Sequence, residues 1–231
     1  MTIVIAPCCV DYVKCHNMEP AIQPERISMT SDTRARMVAG AADLMSRRGV
    51  NATSLREVVR HTGTPRGSIG HHFPDGKQQL IEDALVYAGK QVSGPLKHLT
   101  QKQGAVGGLH AFMSLWRQAL ERTKFQAGCP VLAVAVEQFV TDATDNDGAP
   151  DEAAQQRLLD LADGVFADWQ KITATALRRE GLTPARARRL AALVVASMEG
   201  AVAMCRAARS VQPLDDVRQE LELVLSGALS N

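Results

Sequence analysis

The amino-acid sequence predicts an all-α protein in which a small N-terminal domain precedes a larger C-terminal domain. Aromatic residues make up only 4% of the 231 positions, and alanine, the strongest helix former, is abundant. From position 32 onward, apolar residues recur at helical spacing, and capping residues or glycines separate the segments. The sequence contains no alternating strand pattern, repeat or low-complexity tract.

Residues 1–30 contain three prolines and no helical period, and we expect them to form a disordered extension. Cys8, Cys9, Cys15 and His16 could in principle supply four metal ligands. Adjacent cysteines on a short flexible segment are poor tetrahedral ligands, and the usual two-residue spacer is absent. We therefore predict neither a metal site nor a bound cofactor.

Three short helices are predicted within the N-terminal domain, residues 31–78, over 32–48, 54–62 and 64–72. Thr53 or Ser54 is expected to be the N-cap of the second helix. Gly63 allows a tight turn, after which Thr64 is the expected N-cap and Pro65 the first residue of the third helix.

The C-terminal domain, residues 79–231, is predicted to be helical throughout. One helix begins at Asp75-Gly76, before the boundary, and others follow over 105–124, 130–141, 151–179, from Thr183-Pro184 and from Pro213. An acidic loop, 142–150, separates two of them. Apolar stripes on the last two helices predict a dimer interface, or else packing within one subunit; they consist of Leu190, Leu193, Val194, Ser197, Met198 and Ala201, and of Leu214, Val217, Leu221, Val224 and Ala228.

A short helix, a turn with glycine and a second short helix, braced by a preceding helix, form the pattern of a helix-turn-helix. The second helix needs small and polar groups on its outer face to enter a major groove. That face offers Arg66, Gly67, Ser68 and His71, while Ile69 points into the domain core. An arginine can bond a guanine edge or a phosphate, and glycine permits close backbone approach.

Phosphate contacts are expected around this helix. Thr53 or Ser54 at the start of the second helix can hold one phosphate, and Lys77 can hold another. Arg34 and Arg36 are candidates for a neighbouring groove or the DNA backbone. The charge distribution agrees, because residues 31–80 carry eight Lys or Arg against four acids, whereas residues 141–170 carry eight acids and one arginine.

The residues of this region resemble the tetracycline-repressor-type (TetR) family of bacterial regulators. The similarity lies in 51–59, in Gly63-Thr64-Pro65-Arg66-Gly67-Ser68-Ile69 and in His71-His72-Phe73-Pro74-Asp75-Gly76-Lys77, followed by Leu80. Gly70 stands where the family usually has a tyrosine that commonly touches a phosphate, so the resemblance implies the loss of one backbone contact. Ala127-Gly128-Cys129-Pro130 is similar to the lincomycin-resistance-repressor subgroup.

The resemblance implies a homodimer that binds a palindromic operator on double-stranded DNA as a repressor. It also implies that the dimer releases the DNA when a small-molecule effector occupies the C-terminal domain. Candidate effector-binding residues are the aromatics of this half and one cysteine, although each aromatic could equally fill the core: Phe112, Trp116, Cys129, Phe139, Phe166 and Trp169.

Other classes of function are not favoured by the sequence. It contains no glycine-rich phosphate loop, nucleophile elbow, His-Glu-x-x-His or Cys-x-x-Cys motif, so we expect no enzyme. A helical adaptor that binds another protein without touching DNA is the alternative, and salt-dependent DNA binding would distinguish the two. Five cysteines without a disulfide framework and no run long enough to cross a bilayer predict a cytoplasmic protein without a membrane partner.

Overall fold

The computed structural model describes residues 29–140 and 151–230, and these residues confirm the all-α fold. Residues 1–28 of the expected N-terminal extension, which include Cys8, Cys9, Cys15 and His16, and the acidic loop lie outside the described residues, whereas Met29 and Thr30 belong to the first helix. The helices are α1 (Met29–Arg48), α2 (Leu55–Thr62), α3 (Ile69–His72), α4 (Gly76–Arg122), α5 (Pro130–Val136), α6 (Glu152–Arg179), α7 (Pro184–Ala208) and α8 (Gln212–Leu229), with a 3₁₀ turn at Arg66–Ser68 before α3.

The N-terminal head, α1 to α3, is a three-helix unit held by a small apolar core. Met37, Met45, Val58 and Phe73 are almost completely buried there. Ser54 is the N-cap of α2, because its hydroxyl accepts a hydrogen bond from the Glu57 amide. The helix therefore begins where one of the two expected caps places it.

The third helix begins differently from the prediction. Thr64 is buried, and its hydroxyl hydrogen-bonds that of Thr62 at 2.8 Å, so it does not cap the helix. Pro65 has extended backbone angles and makes no side-chain cap. The segment therefore starts as a 3₁₀ turn, which needs fewer residues than an α-helix to close its first hydrogen bond.

Helix α4 joins the head to the C-terminal half. It packs on α1 of the head and on α6, α7 and α8 of the C-terminal half. At Gly104 the backbone leaves the helical region with φ 76° and ψ −178°, so the helix predicted from residue 105 forms the second limb of α4. A side chain at Gly104 would also meet the Glu180 carboxylate, whose oxygen accepts from the Ala105 amide.

One boundary predicted for the C-terminal helices was wrong. Helix α5 ends at Val136 rather than near residue 141, and the chain continues in extended form toward Val140. Helix α7 is long and apolar enough to cross a bilayer by length and composition, but half of its most apolar window is buried against the rest of the protein. That burial is typical of a core helix.

Candidate DNA interface, effector cavity and the junction between them

The recognition segment, Arg66–His72, presents polar groups to solvent. Arg66, Gly67 and His71 are exposed, while Ser68 and Ile69 are half-buried and Ile69 packs on the apolar core. Within the described residues the Arg66 guanidinium makes no hydrogen bond or ion pair, whereas the Ser68 hydroxyl donates to the Pro65 carbonyl at 2.7 Å. Arg66, Gly67 and His71 are therefore accessible on the recognition segment, whereas the Ser68 hydroxyl is engaged.

Of the two residues expected to bind a phosphate at the start of α2, Ser54 is accessible and Thr53 is not. Ser54 is half-buried at the start of α2, next to backbone amides that lack a helical partner. Thr53 is fully buried, and its hydroxyl donates to the Gly49 carbonyl at 2.8 Å. The Thr53 side chain therefore supports the turn before α2 and does not reach the surface expected for it.

Lys77 and Arg34, two cations expected to contact DNA, bind other groups of the protein in this structure. Lys77 is only 7% exposed; its Nζ donates to the Asn51 and Val140 carbonyls at 3.3 and 3.2 Å and lies 5.4 Å from the centre of the Phe139 ring. Arg34 pairs with Asp83 at 2.5 Å and covers the Phe73 ring. This geometry does not support the phosphate contact expected from Lys77 and leaves the Arg34 head group only partly exposed.

An aromatic cavity lies in the C-terminal half between α4, α6 and α7. Phe112, Trp116 and Trp169, three of the predicted effector residues, line it together with Thr173 and apolar residues of α4 and α7. Phe166 packs edge-on against Trp169 with ring centres 5.4 Å apart and supports that wall from behind. The cavity volume is about 20 Å³, which is the space of about one water molecule.

Two other predicted effector residues do not line this cavity. Phe139 is buried at the junction with the head, beneath Lys77. Cys129 is the N-cap of α5 and is buried. Burial raises the pKa of the Cys129 thiol well above its ordinary value, and the nearby Glu199 charge raises that pKa further, so the thiol stays protonated and unreactive.

Glu199 of α7 is a cavity residue that the sequence interpretation missed. Its side chain lines the cavity, and burial raises the pKa of its carboxyl to about 7, while a hydrogen bond from Cys129 acts in the opposite direction. One signal in the sequence could have identified it. Between Leu190 and Cys205, Glu199 is the only charged residue, and an isolated acid in an apolar helix face indicates a buried carboxylate.

A hydrogen-bond network joins the C-terminal half to the head on the α5 side. The Glu137 carboxylate accepts from the Val50 and Asn51 amides at 3.0 and 3.3 Å. The Asn51 amide group donates to the Gln138 carbonyl at 2.7 Å and its oxygen accepts from the Val140 amide at 2.9 Å. The segment that follows α5 is therefore fixed to the turn between α1 and α2.

Gly49 makes room for this network. Its φ is +85°, and a Cβ built there would lie 1.9 Å from a Glu137 carboxylate oxygen. A residue with a side chain would be strained at this φ and would displace the carboxylate.

Arg206 of α7 forms a second link between the halves. Its guanidinium donates to the Ser46 carbonyl at 3.4 Å and to the Arg47 carbonyl, at the C-terminal end of α1. The Gly128 amide donates to the same Ser46 carbonyl at 2.8 Å. Arg206 lies two helical turns after Glu199, so one helix contacts both the cavity and the head.

Sequence comparison identifies matches in both halves. The model of bacterial regulatory proteins of the tetR family matches residues 37–84. The model of the LmrA/YxaF-like transcriptional regulator C-terminal domain matches residues 105–220. The uncharacterised HTH-type transcriptional regulator Rv0196 of Mycobacterium tuberculosis is 37% identical over 199 residues, covering 85% of this chain and 95% of its own. The HTH-type transcriptional regulator LmrA of Bacillus subtilis is 24% identical over 187 residues, covering 79% and 91%.

Solved structures share the fold. A TetR transcriptional regulator from Chloroflexus aurantiacus is 27% identical, with a TM-score of 0.64, and the match covers 85% of this chain and 96% of that one. The regulatory protein TetR from Rhodobacter sphaeroides is 16% identical, with a TM-score of 0.67 and coverage of 84% and 98%. Regulators of this family bind operator DNA and typically act as dimers.

The matched head, the matched C-terminal domain and the relative at 37% identity lead to one assignment. This chain belongs to the tetR family of bacterial helix-turn-helix transcriptional regulators, with an LmrA/YxaF-like C-terminal domain, and is not an enzyme.

Proposed function

We propose that this protein is a cytoplasmic, homodimeric repressor that reads a palindromic operator and releases it when a small molecule enters the aromatic cavity. The observation that carries the DNA-binding part is Arg66, which lies on a short, glycine-containing segment, is exposed, and makes no hydrogen bond or ion pair with any residue that the structure describes. Gly67 and Gly70 are also exposed, and a Cβ built at either position would meet no other atom within 4 Å, so the backbone beside Arg66 is open to close approach.

The DNA contacts are assigned to the exposed side of the head. Arg66 and His71 face base edges, Gly67 allows close approach, and Ser68 bonds a base or a phosphate. Ser54 and the amides at the start of α2 bind a phosphate, which the helix dipole favours. Arg34 reaches the neighbouring backbone only if it leaves Asp83, while Thr53 and Lys77 act by holding the head in shape.

The dimer is assigned to exposed surfaces of α7 and α8. Leu193 and Met204 on α7 are 44% and 59% exposed, and Leu223 on α8 is 68% exposed. Small residues between them keep the α7 face flat: Ala196, Gly200, Ala203 and Ala207. A second copy of the chain would cover this face in a two-fold arrangement, which also supplies the two reading heads that a palindrome needs.

The apolar stripes predicted on α7 and α8 are partly buried within the subunit and partly exposed. Leu190, Val194, Met198 and Ala201 of α7, and Leu214 and Leu221 of α8, are buried within the subunit. Leu193 and Val224 are exposed and remain candidates for the interface. Of the exposed apolar positions on these two helices, Leu193 and Val224 belong to the predicted stripes, whereas Met204 and Leu223 do not.

The release step follows from the links at the junction. An effector larger than the cavity must separate α4, α6 and α7, and α7 carries Arg206, which holds the end of α1. Movement of α7 would shift the head relative to its copy, so that the spacing of the two recognition segments no longer matches the operator. The effector acts only through its preference for that second arrangement.

Selection of bound fragments from random duplex DNA by the full-length protein tests this function. We expect an inverted repeat with half-sites about one helical turn apart, bound with an affinity that falls as salt rises. Arg66→Ala should weaken the enrichment and relax the preference at one base pair of each half-site, while Arg188→Ala, an exposed arginine of α7, should leave the enrichment unchanged. Binding without sequence preference, or no binding at low ionic strength, would contradict the proposal.

A further inference from the structure

The aromatic cavity contains one polar group whose bonding capacity is unused. Glu199 is 9% exposed, it lines the cavity beside Trp116 and Trp169, and its buried Oε2 makes no hydrogen bond to any described residue. Buried carboxylate oxygens are normally hydrogen-bonded, because removing them from water without a partner is costly. A ligand group that donates a hydrogen bond to Oε2 therefore contributes more binding free energy than the same hydrogen bond would at the surface.

The groups around Glu199 leave its charge without a counterion. The Cys129 thiol donates a hydrogen bond to the carboxyl, but a thiol is a weak, neutral donor. Among the described residues that line the cavity there is no lysine, arginine or histidine. Thr173, the other polar side chain of the wall, donates to the Trp169 carbonyl at 3.0 Å.

The aromatic wall favours the same kind of ligand as the carboxylate. The faces of tryptophan and phenylalanine rings attract cations, and this attraction strengthens away from water. An ammonium group would add a charge-assisted hydrogen bond to Glu199 and would neutralise its buried charge. A neutral hydroxyl would satisfy the oxygen but leave the charge unpaired, and an anion would be repelled.

We propose that the effector is a lipophilic amine, whose ammonium donates to Glu199 Oε2 and whose apolar body lies against Trp116 and Trp169. This inference rests on the proposed role of the cavity as the effector site. The cavity of about 20 Å³ is far smaller than the ~300–1,000 Å³ typical of ligand sites. The amine therefore enters by moving α7 away from α4 and α6, which is the movement that release requires.

The two tryptophans make a direct test possible. The chain has only two, and both Trp116 and Trp169 line this cavity, so tryptophan fluorescence of the full-length protein reports on this site. The probes are phenethylamine, phenethyl alcohol and propylbenzene, which share their size and differ in charge and hydrogen bonding. At about pH 8, above the pKa of about 7 of Glu199, we expect the amine to bind at least about tenfold more tightly than either neutral probe.

Glu199→Gln and Glu152→Gln form the matched pair of variants. Glutamine keeps the size of the side chain and removes its charge, so Glu199→Gln should reduce amine affinity by about tenfold and change affinity for the neutral probes less than about twofold. Glu152 is exposed at the start of α6, and its substitution should preserve the preference for the amine. Thermal unfolding of each variant checks that it is folded.

Two results would overturn the inference. One is equal affinity of the wild-type protein for the three probes, which is measured without any variant and stands even if Glu199→Gln fails to fold. The other is an unchanged preference for the amine in folded Glu199→Gln. Operator binding is measured separately without probes, so a protein that binds its operator but shows no amine preference disproves only this inference, whereas loss of all operator binding disproves the proposed function.

Discussion

The recognition segment and the aromatic cavity use unpaired polar groups in opposite ways. Arg66 is exposed, so water satisfies its guanidinium, and in the proposed complex DNA would replace that water. Glu199 is buried, so its unused oxygen lowers the stability of the ligand-free protein. In the roles proposed for them, the surface that would bind DNA keeps its polar group at almost no cost to folding, whereas the buried site for a small molecule would be destabilising until it is filled.

The largest expected effect tests the cost of the buried carboxylate. Because the pKa of Glu199 rises from 4.5 to about 7 on folding, its native form keeps a proton that the unfolded form has lost. The contribution to stability is complete below about pH 4.5 and is lost as the pH rises through about 7. Glu199→Gln should therefore be more stable than wild type by about 3 kcal/mol at about pH 8, with the gap closing toward about pH 5.

Denaturant unfolding at a series of pH values, at fixed protein concentration, measures that gap. Glu152→Gln provides the control, because an exposed carboxylate should give a difference that hardly varies with pH. If the difference in free energy of unfolding between wild type and Glu199→Gln does not change with pH, the carboxyl is hydrated. The contrast with Arg66 would then disappear.

Arg66→Ala tests the other side of the comparison. Removal of the guanidinium should lower operator affinity by about 1–3 kcal/mol and relax preference at one base pair of each half-site. Because the side chain has no intramolecular partner among the described residues, the free energy of unfolding should stay within about 0.5 kcal/mol of wild type. Fluorescence anisotropy on operator variants measures the affinity, and denaturant unfolding measures the free energy of unfolding. A large loss of stability would mean that the residue is structural.

Lys77→Met separates a structural cation from a DNA contact. Methionine can cover Phe139 but leaves the Asn51 and Val140 carbonyls without their donor, so the variant should lose about 1–2 kcal/mol of stability. The slope of log affinity against log salt should not change. A phosphate contact would instead lower that slope by about one, and such a result would return Lys77 to the DNA interface.

The smallest expected effect concerns the cap of α2. Ser54→Ala removes the acceptor of the Glu57 amide, so we expect a loss of about 1 kcal/mol in stability, with a further small loss in operator affinity if a phosphate lies at this helix start. Ser54→Asp keeps the cap but adds a negative charge, and it should restore stability while weakening DNA binding more than alanine does. Equal operator affinities for the two variants would count against a phosphate there.

The sequence predicted the recognition segment better than the cavity, for a physical reason. Caps, the turn glycine and the polar outer face of residues 66–72 are local features, because each depends on neighbours within a few positions. The positions of Thr53, Lys77 and Phe139 depend on contacts with residues far along the chain, such as the bond from Lys77 to Val140. The isolated position of Glu199 in an apolar stretch is a signal that its carboxyl is buried, but only tertiary packing shows that this face of α7 lies against the aromatic residues of α4 and α6.

The helix boundaries also divide into those that a local hydrogen bond sets and those that a distant contact sets. The start of α6, with Asp151 as its N-cap, and the start of α7, with Thr183 as its N-cap, agree with the prediction because a side chain bonds a backbone amide three residues on. The early end of α5 has no such local signal. The Glu137 carboxylate instead bonds the Val50 and Asn51 amides across the junction, and the backbone leaves the helix there.

Gly49 belongs to neither proposed binding surface, but the contact between the two halves of the protein depends on it. A methyl group at this position would collide with the carboxylate that secures the segment after α5 to the head, while the recognition segment and the aromatic cavity would keep all of their residues. Such a protein would keep both surfaces but lose the α5 side of the junction, so that only the Arg206 link would still join α7 to the head. In the proposed release step, coupling between ligand and operator can therefore weaken at a residue that belongs to neither site.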